Sequence, residues 1–299
     1  MRFTCDHYFQ IGHAHYTAGK PCQDHALSRS SGSLACAIVS DGCSTGGNTD
    51  VGSRILTFGT LQAIRDHAKA SGGTLATAKI SIAARQQQLI GVIRPMIGLE
   101  RNDMLATCVY AYVTQSGGLI HVQGDGVVAW KYRDGQLFMH RYEWADNTPY
   151  YPAYEGRDLQ AFIESHGKDL GGKRFKAISE LRELPNEKRE GKTARPNYEE
   201  HFTLQHGIAG HALEISGAEL EQIEFLAVFT DGVTQIENVA WQDAVNDFLL
   251  FKTTAGEFAK RRMIRGIKES QKLGHGPIDD IAYAVIHIEP GEAKEEDIK

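Results

Sequence analysis

No stretch of this chain approaches the roughly 20 consecutive apolar residues of a membrane-spanning helix, so no membrane partner is expected. The opening residues, MRFTCDHYFQIGHAHY, lack the apolar core of a secretory signal, and the expected compartment is the cytoplasm. Cysteine is scarce: five residues, an odd number, with no C-x-x-C spacing. That argues against a disulfide framework or a zinc ribbon and for reduced thiols. A basic excess is also missing. The chain carries 32 Lys and Arg against 38 Asp and Glu, a formal charge of −6, which gives no footing for a nucleic-acid partner. There is no repeat of solenoid period. Gly46-Gly47, after Ser44-Thr45, lacks the lysine and the spacing of a phosphate-binding loop.

What is present is ordinary for a folded chain: 299 residues, 41% hydrophobic and 23% charged, enough for one large domain or two small ones. Short apolar runs predict buried strands at Leu34 to Val39, Leu105 to Val113, Phe225 to Phe229 and Ile281 to Ile288. From Leu119 to Leu137 the pattern predicts a strand, a turn at Gly124-Asp125-Gly126, a second strand, and a tight hairpin at Asp134-Gly135. Spacings of three and four join Val51, Ile55, Phe58, Leu61 and Ile64 into one apolar helix face. Leu75 to Ile93 predicts another helix, stopped near Pro95. Trp241 to Phe251 and Gly256 to Leu273 predict two more, with Lys260, Arg261, Arg262 and Arg265 on a solvated face of the second. Strands and helices come in blocks, which predicts an α+β layered fold with mostly antiparallel sheet.

Residues 152–202 are rich in charge and poor in apolar residues. They are expected to form a polar insertion or cap on a single domain spanning 1–289, with Glu183 to Asn197 as an exposed loop and Tyr150, Tyr151 and Tyr154 packed beneath. The segment 290–299 is expected to be a flexible tail.

The chemistry lies in acids beside predicted strands: Asp24 in CQDHA, Asp41 in SDGCSTGG, Asp125 in GDG, Asp231 in TDGVTQ, and Asp279-Asp280 in GPIDDIA. One Asp-Gly is usually a turn. Two of them after apolar strands, with Asp-Asp before a third, predict strand ends that converge. Carboxylates brought together repel and raise one another's pKa. A divalent cation removes the conflict, and oxygen ligands suit Mg²⁺ or Mn²⁺. His13 and His15 form H-x-H, a possible metal pair, without a Cys or Glu companion at ligand spacing.

Taken in order, CQDHA, AIVSDGCSTGG, MLATCVYAYV, GDGVVAWKY, LAVFTDGVTQ and DDIAYAVI resemble the metal-dependent Ser/Thr protein phosphatases of type 2C, the PPM family, in its bacterial branch. The resemblance implies a central β-sandwich flanked by helices on both faces. It also implies two Mn²⁺ or Mg²⁺ ions at one edge of that sandwich, with a third, weaker ion in many members. Carried over position by position, Asp41 is the acid that bridges both metals and Gly42 supplies a carbonyl ligand. Asp231 and Asp279 complete the first metal's ligands, and Asp24 holds metal-bound water. Asp125 matches an acid linked to the third ion, and Asp280 supports the ligands from behind. The reaction implied is hydrolysis of phosphoserine or phosphothreonine on a protein substrate by a metal-bridging hydroxide, opposite a cognate Ser/Thr kinase.

Two positions depart from the family. Cys43 stands where many members carry a histidine taken as leaving-group acid, which leaves His15 as the expected proton donor. An arginine that binds substrate phosphate ahead of the early acid is missing, and Lys20 is the nearest cation. These departures keep open a second reading, a catalytically weak or inactive member that docks a phosphoprotein. A third is a phosphatase of small molecules.

Overall fold

The structure, a computed structural model, describes residues 1–71, 74–183, 198–274 and 276–291. In chain order the elements are β1 (Arg2–Gln10), α1 (His13–Thr17), β2 (His25–Ser30), β3 (Leu34–Ser40), α2 (Thr49–Ser71), α3 (Ala78–Met96), β4 (Cys108–Thr114), β5 (Gly117–Gln123), β6 (Gly126–Tyr132) and β7 (Gln136–Trp144). There follow α4 (Arg157–Ser165), β8 (Lys173–Glu183), β9 (Tyr198–Thr203), α5 (Leu204–Ala209), β10 (His211–Ser216), α6 (Gly217–Leu220), β11 (Ile223–Phe229), α7 (Trp241–Phe248), α8 (Phe258–Lys272) and β12 (Ile281–Glu289).

Among the described residues the strands form a seven-stranded sheet, β1-β12-β11-β6-β7-β8-β9, and a five-stranded sheet, β10-β5-β4-β3-β2. The pairings between neighbours are antiparallel. Runs such as LACAIV are apolar on both faces because each sheet is covered on both sides. Alternate residues of β3 and β4, Ala35, Ala37, Val39, Val109 and Ala111, meet Val128, Leu226, Val228 and Ile286 of the other sheet. The opposite faces, Cys36, Ile38, Tyr110 and Tyr112, pack under α2 and α3 through Leu56, Ile64 and Ile82. Ala129, Ala227, Phe229 and Tyr283 pack under α7 and α8 through Val245, Phe248, Met263 and Ile267. The result is the expected helix–sheet–sheet–helix sandwich.

The structure differs from the sequence reading in three places. The buried face of α2 is Leu56, Thr60, Ala63 and Ile64 with Ser53 and Thr57, whereas Phe58 is 53% exposed and Val51 and Ile55 are half-buried. Small residues win there because α2 lies close to its neighbours: a Cβ on Gly52 would sit 1.9 Å from the Asp103 carbonyl oxygen. Helix α3 runs through Pro95 to Met96, since a proline in the last turn removes one hydrogen bond without breaking those before it. Gly124-Asp125-Gly126 is a turn as expected, and it carries the chain from β5 in one sheet to β6 in the other.

The third difference is the segment 152–202. It is not a cap outside the core. It contributes α4 and the outer strands β8 and β9, with β8 paired along β7, and it places Phe162, Phe175 and Ala177 in the inter-sheet core beside Tyr142 and Trp144. Its apolar residues alternate with Arg174 and Lys176, so mean composition concealed a half-buried strand. Residues 184–197, most of the predicted loop, and 292–299, most of the predicted tail, lie outside the described residues. No helix among those described is long and apolar enough to cross a membrane.

Candidate functional site

Asp41 leaves the end of β3 with its backbone clamped. Its N–H donates to Thr107 Oγ1 (3.1 Å), its carbonyl accepts from the Thr107 N–H (2.8 Å), and the Ser40 hydroxyl donates to the Thr107 carbonyl (2.7 Å). Gly42 bridges to Ala106 at the head of β4. A Cβ there would lie 2.7 Å from the Thr49 carbonyl and 2.8 Å from that of Gln23, so the glycine after Asp41 serves close backbone approach. The second Asp-Gly repeats the device: a Cβ on Gly232 would lie 1.8 Å from the Asp280 carbonyl oxygen.

Asp231 opens a short 3-10 turn after β11, and Gln235 Nε2 donates to its Oδ2 (3.0 Å). Asp24, 2% exposed, accepts the Thr230 hydroxyl on Oδ2 at 2.6 Å. The side chain of Asp41 lies close enough to those of Asp24 and Asp231 for each to affect the other's ionisation. Asp125 lies close enough to raise the pKa of Asp41, and Asp279 does the same to Asp231. The structure thus brings Asp24, Asp41, Asp125, Asp231 and Asp279 to one edge of the sandwich.

Burial, the largest cause, holds Asp24, Asp41 and Asp125 well above the usual carboxylate range. Neighbouring carboxylates add to it, chiefly Asp280 for Asp24, Asp24 for Asp41 and Asp231 for Asp125. Asp231 is pushed up to about 6 by burial and then by Asp279, against the pull of Gln235, Arg141 and Asp41. Carboxylates buried this close together hold protons unless a cation takes the protons' place. Asp125 Oδ1 is buried without a hydrogen-bond partner among the described residues, as a ligand oxygen would be. An all-oxygen donor set of this charge fits hard divalent cations.

Asp280 has a different task. Its Oδ1 accepts from the Gly12 N–H (2.7 Å), and its Oδ2 accepts from the Gln23 N–H (2.6 Å) and pairs with His15 Nδ1 (2.8 Å). It ties the start of α1 and the approach to β2 onto the head of β12. Asp279 is turned outward, its side chain 40% exposed, 3.7 Å from His15 Nδ1. Ligand-type atoms of His15, Asp279 and Asp280 lie within 4.8 Å of one another. His13 does not join them. It is exposed on α1, a helix rather than a strand, so the two histidines of H-x-H part company.

Lys20 is exposed and donates to the Ser44 carbonyl (3.1 Å). Cys43 is half-buried and contacts Thr45 Oγ1 at 3.2 Å. Burial pushes its thiol up, but hydrogen bonds with Thr45, Tyr151 and nearby backbone outweigh that and leave it below the ordinary value.

Sequence reasoning missed three contributors. Thr230 was legible only as part of Thr-Asp-Gly. Tyr150 and Tyr154 pack on Phe162 as expected, but Tyr151 turns toward Cys43 and lies near Asp41 and Asp125. Arg141, on β7, lines a cavity of about 460 Å³ that also touches Asp125, Asp231, Thr234, Asn147 and Lys176. Strand parity was the available signal: Arg141 shares a face with Leu137 and Met139.

Comparison with known families matches residues 11–265 to the family described as protein phosphatase 2C. A comparison with curated protein sequences found no match. Among solved structures, a bacterial serine phosphatase aligns at 11% identity with a TM-score of 0.54, covering 97% of this chain and 100% of that one. Serine/threonine phosphatase Stp1 from Staphylococcus aureus aligns at 11% identity and TM-score 0.53, covering 97% and 96%. The Mycobacterium tuberculosis phosphatase PstP/Ppp aligns at 13% and 0.51, covering 97% and 100%. At such identities the likeness is one of fold.

Proposed function

Because the chain belongs to the protein phosphatase 2C family, we propose that it is a metal-dependent phosphatase of phosphoserine and phosphothreonine in proteins, opposing a Ser/Thr kinase. The observation that carries this reading is the single carboxyl network of Asp24, Asp41 and Asp231, with Asp125 and Asp279 against it. Asp41, the Gly42 carbonyl, Asp231 and Asp279 would hold two Mn²⁺ or Mg²⁺ ions, with Asp24 beside them and Asp125 available to a third. When bound, such ions lower the pKa of water toward roughly 7 and stabilise charge on phosphoryl oxygens.

The chain's own groups then have defined tasks. Thr230 fixes one oxygen of Asp24, leaving the other to accept a proton from the attacking water. Asp280 holds His15 by Nδ1, which leaves Nε2 to donate to the departing serine or threonine oxygen. A single general acid is worth about 10²–10⁴-fold, against accelerations of up to about 10²¹-fold known for phosphate monoesters. Charge and positioning at the carboxyl edge therefore carry most of the rate.

The test is Mn²⁺-dependent phosphate release from a panel of phosphoserine and phosphothreonine peptides and from small phosphate esters. Release from peptides, abolished by Asp41→Asn, is expected. Tight phosphopeptide binding with no release in Mn²⁺ or Mg²⁺ would instead establish the docking module. Cys43 and the exposed Lys20 favour that second reading.

A further inference from the structure

The cation expected ahead of Asp24 is only Lys20; its Nζ donates to the Ser44 carbonyl, and it does not line the cavity that adjoins the carboxyl network. That cavity has another cation. In β7, Leu137 and Met139 point into the core beneath α7 and α8, and strand alternation puts Arg141 and Glu143 on the same face. Asp125 precedes Val127 and Ala129, which belong to that same core, and it lines the cavity with Arg141 and Asp231.

Arg141 is held rather than loose. Its Nη2 pairs with Glu143 Oε1, and its side chain remains 29% exposed. Glu143 stands directly opposite Lys176 of β8, and Lys176 is itself paired with Glu199 (3.3 Å). The cavity rim is anchored as well. Buried His166 meets Asp146 Oδ2 (3.0 Å) and Thr148 Oγ1 (3.1 Å) through Nε2, and its Nδ1 lies 2.8 Å from the Phe162 carbonyl. The arrangement is a planar donor fork at the mouth of an acidic edge, in a cavity of about 460 Å³ with a hydrogen-bonded rim. Once cations neutralise the carboxylates, such a fork is suited to a doubly charged phosphoryl group, which it can grip by two oxygens at once.

We propose that Arg141 is the residue that holds the substrate's phosphoryl group in this cavity, with Glu143 as the positioning residue that orients its guanidinium. The assignment rests on the phosphatase reading.

The experiment compares wild type with Arg141→Ala, Arg141→Lys and Glu143→Gln. Three quantities are measured: calorimetric binding of inorganic phosphate to the Mn²⁺-loaded protein, Mn²⁺ binding itself, and KM and kcat for phosphopeptide. Arg141→Ala should weaken phosphate binding and raise KM by about 10- to 100-fold, the usual worth of a charged hydrogen-bond pair, with Mn²⁺ affinity changed far less. Arg141→Lys should recover part of the loss, because charge returns without the fork. Glu143→Gln should raise KM more than it lowers kcat. Phosphate binding within twofold of wild type in Arg141→Ala would overturn the proposal. So would a loss of Mn²⁺ affinity as large as the loss of phosphate affinity, which would mean that Arg141 acts mainly through the carboxylates. A wild type that binds phosphate through Arg141 but hydrolyses nothing would sink the phosphatase reading alone.

Discussion

The Thr230 hydroxyl donates to Asp24 Oδ2 across 2.6 Å while accepting the Ala282 N–H at 2.8 Å. One side chain thereby fixes an acid that arrives from another part of the chain onto the junction of β11 and β12. Thr230→Val keeps the shape and removes both roles, leaving a buried acceptor and a buried donor unmatched. It should destabilise the protein by about 1–3 kcal/mol and weaken Mn²⁺ binding, whereas Thr230→Ser should preserve most of both. Urea denaturation and calorimetry of the two variants check this.

Asp280 accepts from Gly12, Gln23 and His15 at 2.6–2.8 Å. Removing it strands three donors in a buried site. Asp280→Ala should cost about 3–5 kcal/mol, as for a broken buried charged network, and Asp280→Asn less, because its amide oxygen still serves one side of the network. If Asp280→Ala melts within 2 °C of wild type, on the rough scale of 2–4 °C per kcal/mol, the hub role is wrong.

Asp41 is pressed by the neighbouring carboxylates of Asp24, Asp231 and Asp125. Asp41→Asn removes one like charge, so the metal-free protein should melt at the same or a higher temperature than wild type. It should also lose the Mn²⁺-dependent rise in melting temperature that ligand linkage gives the parent. Thermal scans with Mn²⁺ and with chelator separate the two effects. An undiminished Mn²⁺ shift in the variant would remove Asp41 from the metal set.

His121 is 3% exposed, and its pKa is lowered to about 4, by burial first and then by Lys79. The folded state keeps it neutral while the unfolded chain takes up a proton below about 6.5. Its contribution to stability is therefore present above pH 6.5 and is lost as pH falls toward 4. At 1.36 kcal/mol per unit the loss is about 3 kcal/mol. His121→Gln should flatten the stability profile between pH 6.5 and 4, measured by urea midpoints. An unchanged slope would mean that other histidines, such as His211, also lowered to about 4, carry the acid sensitivity.

Cys43 lies beside Tyr151 and Thr45. If His15 is the leaving-group acid, Cys43→Ala should leave phosphoserine turnover nearly unchanged. Cys43→His should raise it by up to about 10²-fold, with little change for an aryl phosphate, whose phenolate departs without a proton. A loss with Cys43→Ala confined to phosphoserine would make the thiol the acid. An equal loss on both substrates would assign Cys43 to support of the carboxyl edge.

The sequence by itself determined the layers and the acids. Apolar runs such as LACAIV and FLAVF, short and stopped at an Asp-Gly, read as strands buried on both faces, and the Asp-Gly and Asp-Asp signatures marked their ends. Local pattern carries that information because alternation and strand termination are local. Tertiary structure decided the rest. Whether the glycines of Asp41-Gly42 and Asp231-Gly232 serve a turn or close backbone approach depends on the Thr49, Gln23 and Asp280 carbonyls opposite, which no spacing reveals. Residues 152–202 read as a polar cap because half of β8 faces water, and only pairing with β7 shows that its other half completes the core. Arg141 carries no motif at all. It reaches the acidic edge because β7 extends beside Asp125 and Asp231, and it stays beside a cavity because a second cation and a fixed rim border the same space. Proximity of that kind depends on sheet order, and sheet order is set by the whole chain.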